Sequence, residues 1–370
     1  MTVFRQPAAL LAAAVLAGVP LLCAQTPIPS AIQPGPAACG VATVDHGKGD
    51  SHFPSYLEDS FAQLKAAVPA LRNLKFEAHP PTIEHEDESD AILVQTGAII
   101  SAMLPRVPNL IAREDLSQVA VPMPYTVNQF QQTSMGGGSR RNAQAQLSPI
   151  PSPGLEGEEL HKALQSMLAS SKNRVTFTYR IRSDPDPTYG TLLNESRVNA
   201  QNESVEISDS RPGHPRSVGF GSAWLMFTPN EQQHSRFRYL GQEKIGNRDT
   251  YVLAFAQLPD RVTLPSQVLM QNLSCPYFMQ GVIWIDQSLF QIVGLQTDLL
   301  YPIPGLRLKR LRSELHFSEI HIPERNLTLW MPSDVEISWE TKDTASAELH
   351  RYSNYRIFGA TSRIILPDPE

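Results

Sequence analysis

The ten histidines are the first candidates for chemistry. His79 and His85 flank Pro80 and Pro81 beside Glu84, Glu86, Asp87 and Glu88, and imidazoles and carboxylates are common cation ligands. Their spacing fits no ligand template, and acidic residues favour a helix N-terminus, so a solvated acidic cap is the preferred reading and no metal is assigned. His316 and His321 share a segment with Glu314 and Glu319. Their odd separation puts them on opposite faces of a regular strand, which reads as surface. Gly219-Phe-Gly-Ser-Ala lacks the second glycine of a nucleophile elbow. Gly136-Gly-Gly lacks the lysine and the strand–helix setting of a phosphate loop. No pair of carboxylates stands out, so no catalytic residue and no cofactor is assigned.

A binding chemistry is easier to place. Leu299 and Leu300, then Tyr301, Ile303 and Leu306, form an apolar loop stiffened by Pro302 and Pro304, and Arg307, Lys309, Arg310 and Arg312 follow among leucines. An apolar lip beside cations suits an acyl chain with an anionic headgroup. The competing reading is a loop that covers core, followed by a strand with a solvated basic face. Phe177, Tyr179, Tyr251, Leu253, Phe255, Trp284, Leu315, Phe317, Trp330 and Trp339 are the candidates for an apolar interior. Large apolar residues on one sheet face are ordinarily core, and they become ligand contacts where a cavity is left between them and a covering helix.

The elements that must position these residues are mostly strands. Between Ser235 and Phe358, apolar and polar residues alternate over short runs separated by turns, the period of half-buried strands. The segments are 248–256, 282–285, 291–299, 311–322, 327–331, 335–340 and 349–358, expected as an antiparallel meander with one dry and one wet face. Val175, Phe177, Tyr179 and Ile181 give the cleanest strand, while 192–207 is weaker and 217–227 reads as an inserted short helix. Within 311–322 the apolar parity changes after Phe317, which a β-bulge produces. Helices are expected over 56–68, from near 84–90 to Met103, and over 158–169, where Leu160, Leu164 and Leu168 recur every fourth residue. Residues 109–125 mix strand and turn signals.

The chain begins with Arg5 and an apolar run, Ala8–Leu22. This is the pattern of an export signal cleaved near Ala24, and the run is shorter than the roughly 20 residues a membrane span needs. Leu22 occupies the position where a lipoprotein signal wants a small residue before Cys23, which weighs against an acyl anchor. Of the remaining cysteines, Cys39 and Cys275, an exported location permits a bridge, and two separate thiols are the equal alternative. The expected division is a signal peptide over 1–24, a Pro/Ala/Gly-rich linker over 25–50, helices and a first strand over 51–130, a mobile polar loop over 131–157, and a sheet domain over 158–370. A net charge of −6 argues against a nucleic-acid partner.

Four phrases carry a resemblance: Ser235-Arg-Phe-Arg-Tyr-Leu-Gly, Thr250-Tyr-Val-Leu-Ala-Phe, Gly281-Val-Ile-Trp-Ile-Asp with Gln291-Ile-Val, and His350-Arg-Tyr-Ser-Asn-Tyr. With the order of elements, they resemble an uncharacterised group of exported bacterial proteins and the lipoprotein-localisation carriers, the LolA/RseB-like superfamily. The likeness covers roughly 173–358. It implies an α+β, mainly β fold: a strongly curved antiparallel sheet, an open half-barrel, with helices over its concave face. It also implies a non-catalytic, periplasmic or extracellular protein that holds a lipid or lipoprotein acyl chain, with membrane contact at most peripheral. Two alternatives stand beside it: an envelope interaction or sensing module with a filled core and a protein partner, and a hydrolase with dispersed site residues.

Overall fold

The computed structural model describes residues 39, 55–76, 83–124, 155, 157–172, 174–187, 190–205, 217, 219–221, 223–262, 266–270 and 273–359. The export signal, the linker apart from Cys39, His79 and almost all of the 131–157 loop lie outside the described residues, as do the side chains of His85 and its acidic neighbours.

The helices are α1 (Phe61–Ala67), α2 (Ile83–Met103), α3 (Gly157–Ser170) and α4 (Pro229–Gln232), with 3-10 turns at Leu104–Arg106 and Ala223–Phe227 among others. The strands are β1 (Lys75–Phe76), β2 (Leu110–Pro122), β3 (Arg174–Asp186), β4 (Gly190–Val198), β5 (Ser235–Ile245), β6 (Arg248–Gln257), β7 (Ser266–Met270), β8 (Leu273–Tyr277), β9 (Met279–Asp286), β10 (Ile292–Leu299), β11 (Leu308–Ile322), β12 (Leu327–Thr341) and β13 (Thr344–Ile357). Eleven strands form one antiparallel sheet in the order β1-β5-β6-β9-β10-β11-β12-β13-β2-β3-β4, and β7 pairs with β8 apart from it. β1 and β4 end the sheet without pairing to each other, so it is open.

The sheet is curled. α2 touches β5, and the 3-10 turn that ends α2 touches β4. Laid flat, strands nine steps apart would be separated by about 43 Å, whereas a helix of α2's 21 residues spans about 31 Å. The sheet therefore wraps α2, as an open half-barrel with a helix over its concave face. Gly97 allows the close fit: a Cβ there would lie 2.8 Å from Gln232 Nε2 and 3.2 Å from the Phe227 carbonyl. Gln232 Nε2 also donates to the carbonyls of Leu93 and Phe227. These contacts tie α2 to the 223–232 segment inside the trough.

Register defines the two faces. Leu253, Ile283, Leu295, Leu315, Val335, His350, Leu116 and Val175 stand directly opposite one another across successive strands, forming one inner row. The neighbouring outer row is Ala254, Val282, Gln296, Glu314, Glu336, Leu349, Ser117 and Arg174. It runs from apolar through acidic to basic.

The expectation of one dry and one wet face fails in the middle of the sheet. Every residue of β9 and β10 is buried. The outer face there is covered by residues 55–76, whose Leu64, Val68, Leu71 and Leu74 join the main core. Arg238 fastens this cover by donating to the carbonyls of Leu57 and Asp59 at 3.2 and 2.7 Å. Strands buried on both faces read as continuous apolar runs, and Val282–Ile285 is one.

Local boundaries follow chemistry. α1 starts later than periodicity implies because Ser60 and Gln63 form a capping box. Residues 109–125, ambiguous in sequence, form β2, which lies between β13 and β3. Near the phase change in β11 the register shifts, at His316/Phe317, but the extra residue is Ser333 of the partner strand β12 rather than a residue of β11.

Candidate functional site

Two groups of buried polar residues sit on opposite faces of this sheet. On the inner face, β2, β4 and β13 bring together Glu114, Arg197, Glu348, His350 and Tyr352, all buried. Arg197 grips Glu114 with two hydrogen bonds, at 2.5 and 2.8 Å, and reaches the Tyr352 hydroxyl at 3.3 Å. Tyr352 donates to Glu114 at 2.9 Å. His350 lies between two carboxylates, Nδ1 at 2.7 Å from Glu114 and Nε2 at 3.2 Å from Glu348. Gln118 and Ser217 complete the shell by donating to Glu348 at 2.6 and 2.7 Å. Burial alone would raise the Glu114 carboxyl, but Arg197 and His350 outweigh it and hold the group down at about 2. Burial opposes charge on His350, yet the two carboxylates prevail and raise its pKa above the ordinary imidazole value.

This network contains the connectivity of a hydrolytic triad. Ser217 Oγ is 3.2 Å from His350 Nε2, while Nδ1 faces Glu114. Its chemistry is nonetheless that of a lock. The Ser217 hydroxyl donates to Glu348, and an imidazole held protonated by two carboxylates has no lone pair with which to act as base. The nearby backbone N–H groups of Gly219, Phe220 and Gly221 donate to Glu195 at 3.0, 3.1 and 2.7 Å. They are therefore not available as oxyanion donors.

On the outer face, α3 lies over β13 and β2, and its Glu158 and His161 reach toward β11 and β12. Leu160, Ala163, Leu164 and Leu168 pack on Val121, Ala345 and Ala347. Arg312 links Asp298 at 3.0 Å to Glu158 of α3 at 3.3 Å. Tyr56 donates to Asp298 and receives Gln296 Nε2 at 2.9 Å. His161 sits over the directly opposed pair Glu314 and Glu336. Its Nε2 lies 3.8 Å from one carboxylate and 3.9 Å from the other, too far for hydrogen bonds. Among the described residues, buried His161 Nε2 and Glu336 Oε1 have no hydrogen-bond partner, while His161 Nδ1 lies 3.2 Å from Ser338 Oγ. Burial and the neighbouring Glu314 push the Glu336 carboxyl up, against the pull of His161. Burial also raises Glu314, but the His161 imidazole outweighs it and brings that group below the ordinary value.

Beside this cluster a cleft of about 40 Å³ opens between α3 and the sheet. Leu160, Leu164 and Ala345 give it apolar walls, and Arg310, Arg312 and Asp298 give it charge. Among the described residues no group of three or more His, Cys, Asp or Glu side chains is arranged to hold a metal ion.

The interior candidates divide. Leu253 and Leu315 stand in the inner row, and by strand parity Phe177, Tyr179, Tyr251, Phe255 and Trp339 share that face. Phe255 meets Phe227 edge-on at 5.4 Å, and Tyr179 packs on Tyr352 at 4.7 Å, so protein side chains occupy these positions. Trp284 points the other way: it opposes Val252 and Gly294 on the outer face, and its Nε1 donates to Glu243 at 3.0 Å. Phe317 and Trp330 lie beyond the bulge. Both are buried, with the Arg248 guanidinium 4.5 Å above Trp330.

Of the lip residues, Leu299 and Ile303 are buried with Leu306 and Leu308 around a Cys39–Cys275 disulfide, whose Cα atoms are 5.7 Å apart. Trp339 and Leu311 pack against the same cluster, so one interior candidate and two lip candidates do meet. Leu300 and Tyr301 are half-buried, and Tyr301 packs near Phe278. Arg307 and Lys309 are exposed and face Asp343 at 3.3 Å and Glu340 at 3.7 Å.

Sequence reasoning missed the inner network because its members are spread over more than 200 residues. One local signal existed: Glu348, His350 and Tyr352 alternate along one strand and so share a face.

No protein-family model matches the chain, and no curated protein matches it in sequence. Three solved structures are similar to it. One is a domain described as an outer membrane lipoprotein-sorting protein from Vibrio parahaemolyticus, at 12% identity and TM-score 0.30, covering 73% of this chain and 95% of that one. A DUF1329 family protein from Desulfovibrio piger has 10% identity and TM-score 0.29, with 74% and 94% covered. A LolA superfamily protein from Nitrosomonas europaea has 11% identity and TM-score 0.28, also with 74% and 94% covered. Similarity at this level assigns neither ligand nor activity.

Proposed function

We propose that this protein is an exported, non-catalytic binding protein that takes an apolar chain, such as a lipid or a lipoprotein acyl chain, beneath α3. One observation carries the reading: the cleft under α3 joins apolar walls, Leu160, Leu164 and Ala345, to the guanidiniums of Arg310 and Arg312. That is the composition an acyl chain with an anionic headgroup would select. The cleft, at about 40 Å³, is far below the roughly 300 Å³ of a small-ligand pocket, so a chain enters only as α3 lifts. The floor is suited to this, because Ala345 and Ala347 are small and Val121 is apolar.

A second reading, an envelope interaction module with a filled core, is favoured by Phe227, which fills the trough against Phe255 and Phe237. No helix among the described residues is long and apolar enough to cross a membrane.

Lipid extraction of the natively purified protein, followed by mass spectrometry, separates the two. A stoichiometric acyl species, and a fluorescent fatty acid that binds roughly tenfold more weakly to Leu164→Trp, support the first. No acyl species and no saturable fatty-acid binding overturn it and leave the filled-core module.

A further inference from the structure

The outer face beyond α3 carries a second feature, independent of the cleft. On β13, β2 and β3, six arginines point outward: Arg351, Arg113, Arg174, Arg180, Arg182 and Arg356. Register sets them side by side. Arg356 and Arg180 flank Ile111, Arg113 faces Thr178, and Arg174 faces Ser117. A register shift between Ser353 and Arg356, with Asn354 at φ 57°, restores Arg356 to the outward face.

Arg113, Arg182 and Arg351 pair with Asp115, Asp184 and Asp334. Among the described residues, no carboxylate lies within ion-pair distance of Arg174, Arg180 or Arg356. This basic field sits on a chain of net charge −6, so the charge is placed rather than general. At its rim Phe358 is 48% exposed, with the Arg180 guanidinium 5.6 Å from its ring centre.

The geometry points to this face as a docking surface for an anionic phospholipid bilayer. Guanidiniums match phosphate oxygens in pairs. An exposed aromatic among cations suits the headgroup layer of a membrane. A protein partner would instead want an apolar, charge-depleted centre to the patch, and here the centre is arginine. Attraction of this kind is electrostatic and weakens with salt.

Flotation with phosphatidylcholine vesicles, with and without about one third phosphatidylglycerol, tests it on the full chain. The expected result is binding only to the anionic vesicles, roughly tenfold weaker for Arg174→Glu combined with Arg356→Glu and unchanged in melting temperature. Phe358→Ser is expected to weaken binding by about threefold, with no change in its salt dependence. Equal binding to neutral vesicles, no vesicle binding at all, or undiminished binding by the double variant overturns the proposal. Retention on heparin without vesicle binding also overturns it and assigns the face to a soluble polyanion. The extraction test under α3 is unaffected by any of these outcomes.

Discussion

Two clusters of buried charge, one on each face of the sheet, are satisfied to different degrees. Around Glu114 and Arg197 each charged group has a close partner: bidentate carboxylate to guanidinium, imidazole between carboxylates, hydroxyls filling the remaining positions. Around His161, two carboxylates oppose each other across neighbouring strands, and the imidazole above them touches neither. The first group lies at full depth and ties β2, β4 and β13 together. The second underlies a helix that rests on two alanines and borders a cleft. A fully satisfied network fixes one arrangement, whereas a partly satisfied one leaves alternatives close in energy. That difference places motion, and with it binding, at α3 rather than in the trough.

The sharpest way to break this contrast is to remove one cation from each side. Arg197→Met leaves buried Glu114 with only part of its counter-charge, that of His350, a loss on the order of 3–5 kcal/mol, read by urea denaturation. Arg312→Met is expected to cost less, about 1–3 kcal/mol, because Asp298 keeps Tyr56 and Gln296 as donors. Its mark should be local: faster hydrogen exchange in α3, which loses the Arg312–Glu158 tie. Equal losses from the two variants, with no change in α3, would remove the distinction between a rigid face and a loose one.

Titration sharpens the inner side. Glu114 is held at about 2, below the roughly 4.3 of an unfolded glutamate, so its contribution is present above that value and fades as pH falls toward 2. The pKa of His350 is raised. Its contribution is therefore complete below the unfolded value of about 6.5 and is lost as pH rises through the folded one. The network should stabilise most between about pH 5 and 6.5. In His350→Gln the alkaline decline of the denaturation midpoint, relative to the parent protein, should flatten, and the acid limb should weaken only in part, because Arg197 still holds Glu114 down. A parallel shift of both limbs would mean that His350 is neutral in the folded protein.

How much of this contrast the sequence could reveal depends on how local each signal is. Val175, Phe177, Tyr179 and Ile181 share one parity, and all belong to the inner face. α3 follows from three leucines at fourfold spacing, whereas the bulge expected in β11 from the parity change after Phe317 is a register shift whose extra residue, Ser333, lies on β12. β2 was only half legible, as mixed strand and turn signals, because its alternation serves two covers at once. Its inner positions include Ala112 and a buried Glu114, while its outer positions Val119 and Val121 lie beneath α3. Trp284 was placed on the wrong face for the same reason, since a strand buried on both sides has no polar phase to read. The Glu114–Arg197–His350 contacts arise from strand order alone, as β13 meets β2 only after the whole meander has been laid down.

The smallest effect is expected from the loose side, and its sign is the informative part. Glu314 and Glu336 face each other, and the Glu336 carboxyl is pushed up by burial and by that neighbour. Glu336→Gln removes the repulsion and keeps the shape, so stability at pH 7 should stay level or rise by about 0.5 kcal/mol. Removing a charge from a satisfied network cannot do this: Glu348→Gln on the inner face should lose stability, because His350 then has one carboxylate instead of two. If Glu336→Gln were as costly as Glu348→Gln by urea denaturation, the acid pair under α3 would be a fastened contact like the inner network. The helix would then have no slack to admit a chain.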